Sequence, residues 1–539
     1  MKIKILSCSI SIITGTILAI GFMLLLGHQP VKAGTNVEPQ SLTAFTRYVA
    51  TTGNDGGGTN SCLISTFPCR TLQVAEDVAA TGDEIRVATG VYTGVQVRSA
   101  MTQVLYINKS VTIRGGYATT NWTTSYPITQ PTILDAQRQA RVVYITGNVT
   151  PTLDGLILTH GNATGQFANC ASDADGCGGG IFVLNAHPRV VNNTITNNVA
   201  TVTTSGLARN TGYGGGLYMR SATGSVISGN LIISNTASMA YCGAGGGLYL
   251  YLYDFGMSGT QVQFNQVLSN TATTASNACA WGGGIHGGPD GVLIQGNTIA
   301  GNRANGYGGG QGAGLYQWFG SATYLNNLVR GNLGSVSSQA VYLGHSQSHF
   351  EGNRVVDNAT SQGVQLEIGE GGGPRLVNNV VARSGEQTVA ATGYSVAPLT
   401  ATLLHNTLVG SGTGNGVYVE TGYVTLFLTD TIVASHTWGI TNTFPASSTL
   451  HIDHTLFWAN THNGIQGTSP VSGNPAFAAD GYHLVTGSAA IDRGANAGVA
   501  TDIDSEVRPK GCTFDIGADE FFTSLVCQYI HLPLVMRNY

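Results

Sequence analysis

Two carboxylates and a run of rings are the residues of this sequence best placed to do chemistry. Glu367 lies in Val364-Gln365-Leu366-Glu367-Ile368 and Glu420 follows Val417-Tyr418-Val419, so both point away from the apolar side of short alternating strands. With one coil of chain between them, around Tyr394, they stand about 9–10 Å apart. That is near the upper limit for two acids that invert a glycosidic bond through an intervening water. The same alternation sets Phe182, Tyr218, Tyr249, His286, Tyr316, Tyr342, Gln365 and Tyr418 in one outward column, and Arg220, Tyr251, Trp318, Glu367 and Glu420 in the next. Flat rings at a regular spacing can carry sugar rings, which makes Tyr218, Tyr249, Tyr251, Tyr316, Trp318, Tyr342 and Tyr418 the candidate ligand-binding residues. The plainer role for such rings is to stack on one another and stiffen a sheet. Acids on an outer face are ordinarily solvated surface groups.

Other chemistry is thinner. Asp173 and Asp175, between Cys170 and Cys177, and Asp502, Asp504 and Asp515 near the C-terminus offer hard oxygen ligands that could hold a structural Ca2+. No other cofactor is expected. His451-Ile452-Asp453-His454 sets no nucleophile beside its histidines, so neither a triad nor a zinc site is read there.

The elements that must position these residues come from a repeat. Glycine runs at Gly178-Gly179-Gly180, Gly214-Gly215-Gly216, Gly245-Gly246-Gly247, Gly282-Gly283-Gly284 and Gly308-Gly309-Gly310 each precede a short apolar strand and then an Asn-containing one. Asn193, Asn230, Asn265, Asn297, Asn327, Asn353, Asn379 and Asn406 lie 37, 35, 32, 30, 26, 26 and 27 residues apart. A drifting period of this size marks a solenoid whose loops vary while its strands keep register. The apolar residues alternate, and no copy holds a helical stretch long enough for βα or leucine-rich repeats. The shortest copies have room for three short strands, fewer than a propeller blade needs. Three strands per coil, each pairing in parallel with its copy one coil on, make an all-β parallel β-helix, with interior Asn side chains bonding from coil to coil.

The ends differ from the repeat. Lys2 and Lys4, the apolar residues 10–26 and the small-residue site Val31-Lys32-Ala33 read as a signal peptide over 1–33, cleaved before Gly34. Retention of that segment would leave a membrane association. Residues 34–84 read as an N-terminal segment and cap, in which 71–80 form a helix over the first coil. The β-helix then occupies 85–465, a C-terminal cap 466–527, and an apolar tail 528–539, too short to span a bilayer as a helix. Charged residues are 9% of the chain and the net charge is -5, without a basic stripe, which argues against nucleic acid as a partner. Beyond Cys8 in the signal, eight cysteines fall into near pairs, Cys62–Cys69, Cys170–Cys177, Cys242–Cys279 and Cys512–Cys527, read as disulfides of an exported protein.

Pro68-Cys69-Arg70-Thr71-Leu72-Gln73, Gly82-Asp83-Glu84-Ile85-Arg86-Val87 and Gly90-Val91-Tyr92 resemble the N-terminal signature of exported bacterial right-handed parallel β-helix, pectate-lyase-like proteins. Ser488-Ala489-Ala490-Ile491-Asp492-Arg493-Gly494, with Arg508-Pro509 and Asp515-Ile516-Gly517-Ala518-Asp519-Glu520-Phe521, resembles the choice-of-anchor Q domain. The glycine-run copies are similar to those of chlamydial polymorphic outer-membrane proteins, and the tail Tyr529-Ile530-His531-Leu532-Pro533-Leu534-Val535 resembles endings of exported Chloroflexi proteins. The resemblance implies a single-stranded right-handed β-helix, secreted and held at the cell surface. Pectate lyases need clustered acids for Ca2+ with an Arg or Lys base, and the repeats supply no such set on one strand. The expectation is therefore a non-catalytic protein that binds a polysaccharide or cell-surface glycan. A polysaccharide lyase or glycoside hydrolase on the same face, and a purely structural solenoid, are the alternatives.

Overall fold

The structure is a computed structural model that describes residues 44–171, 174–203, 211–251, 256–306, 311–334, 338–359, 363–383 and 386–522. The expected signal segment 1–33, Asp173, Cys527 and the tail 528–539 lie outside the described residues.

The chain winds into a right-handed parallel β-helix, as its periodicity requires. In one coil, Ile181–Leu184 lies on the first face, Arg189–Val191 on the second and Thr194–Thr196 on the third. Each pairs in parallel with its counterpart one coil on: Ile181 with Leu217, Val190 with Ile227, Ile195 with Ile232. The third face is a 14-stranded sheet, while the first two run together as one of 28 strands. Register follows from the interior. Ile181, Leu217, Leu248, Ile285, Leu315, Val341, Leu366, Val389 and Val417 stack in one buried column. A one-residue slip would turn every one of them outward.

Polar register comes from two asparagine ladders, of which the sequence reading found one. In the expected ladder, Asn265 takes a backbone-like place. Its N–H and Nδ2 donate to Asn297 Oδ1 at 2.9 and 3.0 Å, and Nδ2 also donates to the Ile227 carbonyl at 2.8 Å. The second ladder, Asn198, Asn235, Asn270, Asn302, Asn332 and Asn358, repeats that geometry one strand later. It ends where the Asn358 amide meets the Gln365 side chain at 3.0 Å. Gln365 is thus a buried terminus of this ladder, and Glu367 takes its place in the outward column, opposite Tyr342.

Coil length is the variable that matters. Early coils carry more than the three expected strands. Val199–Thr201 begins a five-stranded sheet, and Ala174–Cys177, Thr211–Tyr213, Gly243–Ala244 and Ala280–Trp281 form a four-stranded wing. The run Gly178-Gly179-Gly180 packs against the five-stranded sheet: a Cβ on Gly179 would lie 2.3 Å from the Val199 carbonyl oxygen, so only a glycine lets the two segments close. Three expected disulfides are formed, Cys62–Cys69, Cys170–Cys177 and Cys242–Cys279, and the last ties two neighbouring wing strands. Cys512 is also disulfide-bonded.

The ends correct two expectations. The helix Leu72–Val78 forms, with Thr71 accepting from the Val74 N–H at its start, and buries Leu72 and Ala75 against the first coil. Yet the first coil begins at Thr46–Val49, which pairs with Glu84–Ala88, rather than at residue 85. The chain after 466 does not simply close the last coil. It turns back along the outside of the third face, where Ile516, Leu484 and Ala490 pack on Ile432, Ala434 and Leu456. Burying apolar residues on the outer side of that sheet is what draws it back.

Candidate functional site

The first face carries the outward column predicted from the sequence, and its register holds through Tyr106, Tyr144, Phe182, Tyr218, Tyr249, His286, Tyr316, Tyr342, Glu367, Ala390 and Tyr418. Consecutive rings stack. Tyr218 and Tyr249 lie 5.3 Å apart with an interplanar angle of 2°, and Tyr316 and Tyr342 lie 5.2 Å apart at 12°. These rings are not an open platform, however. Tyr218, Tyr249, Tyr316 and Tyr342 are all buried, and the wing residues Cys170, Cys177, Tyr213 and Ala244 pack over the early part of the column. Tyr251, Trp318 and Tyr418 keep partial exposure. At the start of the column the buried Arg141 guanidinium sits 4.8 Å from the Phe182 ring and donates to the Cys177 and Gln166 carbonyls at 3.0 Å. Burial lowers its pKa to about 9. The surrounding rings and carbonyls replace part of the hydration it loses.

Among the described residues the wing ends before the coil of Tyr342; the column itself stays buried at Tyr342, Glu367 and Ala390, while Phe319 beside it is 44% exposed. In the neighbouring outward column, Trp318 is followed by Gly344, Gly369 and Thr392 in strict register, with Glu420 one residue past Val419. Two successive glycines let neighbouring side chains lie across them, between the Trp318 ring and the Thr392–Glu420 side. A Cβ at Gly344 would fall 2.8 Å from Tyr342 Oη, and one at Gly369 would fall 2.2 Å from Thr392 Oγ1 and 3.5 Å from Glu367 Oε1. The space above these glycines is therefore filled by the Tyr342 ring and the Thr392 hydroxyl, with the Glu367 carboxyl beside them, all buried. Tyr342 Oη is buried and has no hydrogen-bond partner. Trp318 stacks on Tyr342 at 6.1 Å and 10°, and His345 packs edge-on to Trp318 and flat on Phe319 at 4.8 and 4.7 Å. Tyr394 is 46% exposed on the following turn.

Electrostatics single out Glu367. Its side chain is buried, accepts from Gln339 Nε2 and accepts from Thr392 Oγ1 at 3.3 Å. Burial, then the Glu420 charge, pushes its pKa up to about 8, so the group is a neutral acid at pH 7. Burial and the charges of Glu367 and Glu370 raise the Tyr342 phenol. Tyr394 is raised by burial and then by Glu370, Glu367 and Glu420 together. The two acids named from the sequence do meet in one site, but in different columns and with the strand Gln387–Thr392 between them. Glu370, Tyr394, His345 and Phe319 were missed. Glu370 lies two residues before the end of a nine-residue strand, Val364–Gly372, longer than the repeat suggested, and the signal for it was the paired Gly344 and Gly369 in an otherwise bulky column.

The expected Ca2+ ligands do not assemble. Asp175 lies in a wing strand, buried, and accepts from Thr201 Oγ1 at 2.5 Å. Asp502 accepts from the Asp504, Glu506 and Glu520 N–H groups, and Asp515 from those of Asp492 and Phe521. Their oxygens fold the chain. Arg508 and Glu520 form a buried ion pair at 2.7 Å beside them. Asp504 instead joins His483 and Asp519, whose ligand atoms all lie within 4.8 Å of one another. His483 bonds Asp504 at 2.6 Å through Nε2 and Asp480 through Nδ1. Those carboxylates raise its pKa against the opposing effect of burial. A concavity of about 440 Å3 at the N-terminal cap is lined by Gln73, Asp77 and Arg98 among others, and its Asp77–Arg98 charges pair with each other at 2.6 Å.

No protein-family model matches the sequence, and no curated protein matches it. Among solved structures, the chain is similar to the pectate lyase Pel9A, at 13% identity and a TM-score of 0.37, over 89% of this chain and 96% of that one. It is similar to XylC, solved with xylose, at 10% identity and 0.37, over 88% and 98%. It is also similar to the periplasmic alginate epimerase AlgG at 12% and 0.34, over 70% of each chain. At these identities and scores the matches assign no activity to this chain.

Proposed function

We propose that the protein is exported and binds polysaccharide along its first face past the wing, on the partly exposed surface between Trp318 and Glu420. The observation that carries this reading is that rings reach the surface where the wing stops: Phe319 is 44% and Tyr394 46% exposed, and Trp318 and Tyr418 are partly so. The partly exposed Trp318 indole and the exposed Glu420 carboxylate offer, on one face, the two contacts a sugar uses, an apolar ring and a hydrogen-bonding group. Disulfides support the exported setting, since they persist in oxidising compartments. Among the described residues no helix is long and apolar enough to cross a membrane. Surface retention through a choice-of-anchor Q-like C-terminus belongs to this reading. The test is retention of the mature chain on a panel of immobilised polysaccharides, with Trp318→Ala and Tyr394→Ala. Unchanged retention in both variants would return the face to a purely structural role.

A second reading, glycoside hydrolysis, is favoured by one observation: Glu367 holds a proton at pH 7. A neutral carboxyl can protonate a leaving oxygen while Glu420, about two coil spacings (~10 Å) away, activates water from the other side. A lyase fits less well, because among the described residues no lysine or arginine of the first face stands beside Glu367 to act as base. Release of reducing ends that disappears in Glu367→Gln would favour the hydrolase. Appearance of 4,5-unsaturated products would favour the lyase.

A further inference from the structure

The end of the solenoid where the chain enters carries an apolar tip. The first strand, Thr46–Val49, pairs on one side with Glu84–Ala88. On its other side Tyr48 N–H donates to the Cys62 carbonyl at 2.8 Å, and the Tyr48 carbonyl accepts from Cys69 N–H at 2.9 Å, so residues 62–69 lie beyond the first coil. Their loop is held firmly. Cys62 and Cys69 close it as a disulfide, Phe67 N–H donates to the Ile64 carbonyl at 2.9 Å, and the Arg47 guanidinium donates to the Ser61 carbonyl at 2.6 Å. Yet Leu63 is 41%, Ile64 60% and Phe67 52% exposed. Residues 60–70 contain one charged group, Arg70, which is exposed and joins no ion pair among the described residues. The Asp55 carboxylate is taken up by the Arg70 and Thr71 N–H groups at 2.8 and 3.1 Å.

We propose that this tip docks on an anionic lipid surface, with Leu63, Ile64 and Phe67 sunk among the outer acyl carbons and the Arg70 guanidinium at the phosphates. Apolar side chains gathered on one tip mark a contact surface. Shape then decides the partner. A stable protein interface buries about 800 Å2 on each side. Three side chains on a convex end offer far less than that to a solid partner, whereas a fluid bilayer closes around them. Charge agrees, since an uncharged loop beside a lone cation fits the boundary between acyl chains and anionic headgroups. The disulfide and the backbone bonds set the three side chains in place beforehand, so docking orders little further chain. A tether through the apolar residues 10–26, which precede this end in the sequence, would leave the tip nearest the lipid.

Flotation of the mature full-length chain with vesicles of phosphatidylcholine, alone or mixed with phosphatidylglycerol, tests this. The chain is expected to float with the mixed vesicles and to lag on the neutral ones. Ile64→Asp should weaken binding at least about tenfold, because an apolar side chain that enters the lipid becomes a charge. Arg70→Gln should weaken it about fivefold, on the mixed vesicles alone. Both side chains are exposed, so the unfolding midpoint should stay that of the parent chain. In a Phe67→Trp variant, brominated lipid should quench fluorescence beyond the quenching of the parent. Binding that survives Ile64→Asp is adsorption elsewhere on the surface and overturns the proposal, as does failure to bind either vesicle. A parent chain that self-associates where Ile64→Asp does not would assign the tip to a second copy, and that also overturns it.

Discussion

Under the wing, from Phe182 to Tyr316, the outward column behaves as a second core. Past Tyr342, the same column in the same register gives up its rings for the buried Glu367 and Ala390, and exposed rings appear beside it at Phe319 and Tyr394. The residues facing outward are similar at first and the backbone is continuous. What changes is coil length, which falls from 37 residues between ladder asparagines to 26 and removes the two extra strands that covered the rings. An aromatic column on a solenoid is therefore neither core nor site by its own composition. The loops one turn away decide which it is.

The largest effect that can break this comparison is in the covered region. Tyr218→Ala removes a fully buried ring between Phe182 and Tyr249 and should cost about 3–5 kcal/mol in denaturant unfolding. A cost near zero would mean that the wing does not seal the column. For the same reason Tyr249→Ala and Tyr316→Ala, which the sequence alone would offer as binding variants with an intact fold, should act first on stability.

Breaking Cys242–Cys279, which closes a 37-residue separation, should cost about 2–4 kcal/mol. Hydrogen exchange should quicken in the wing and leave 363–383 unchanged. Spread of the loss into that open stretch would show the two regions to be one cooperative unit.

A pH series sharpens the contrast from the open side. The Glu367 carboxyl titrates at about 8 in the folded chain against 4.5 unperturbed. Between those values the folded state carries a proton that the unfolded state has released, so stability falls as pH rises, by up to about 1.4 kcal/mol per unit. Glu367→Gln should flatten that slope relative to the parent chain. Parallel pH profiles would place Glu367 in contact with water.

The smallest effect is the one tied to function. Tyr394→Ala, at an exposed rim, should leave the unfolding midpoint unchanged and weaken polysaccharide retention by about 1 kcal/mol. A loss of stability instead would make the rim part of the covered architecture.

Much of this protein was written in local pattern. Alternation of Ile181, Val183, Leu217 and Met219 with outward residues, the asparagine period and the paired cysteines determine a parallel β-helix, its register and three of its disulfides, because each depends on neighbours one coil away at a regular spacing. The second ladder was equally legible, with Asn198, Asn235, Asn270 and Asn302 each five residues after a member of the first. Burial was not. Whether Tyr218 meets water depends on Thr211–Tyr213 and Gly243–Ala244 folding over it, and glycine-rich loops carry no periodicity that announces a sheet. Nor could spacing tell that Glu367 follows Tyr342 and that Gln365 ends a ladder, since a register offset of two residues preserves the same alternation. The sequence by itself determined which residues repeat and which way they point. Only the tertiary structure decided which of the outward residues stay outside, because a solenoid's surface is covered by segments from other parts of each coil, and the reach of those segments is a property of packing.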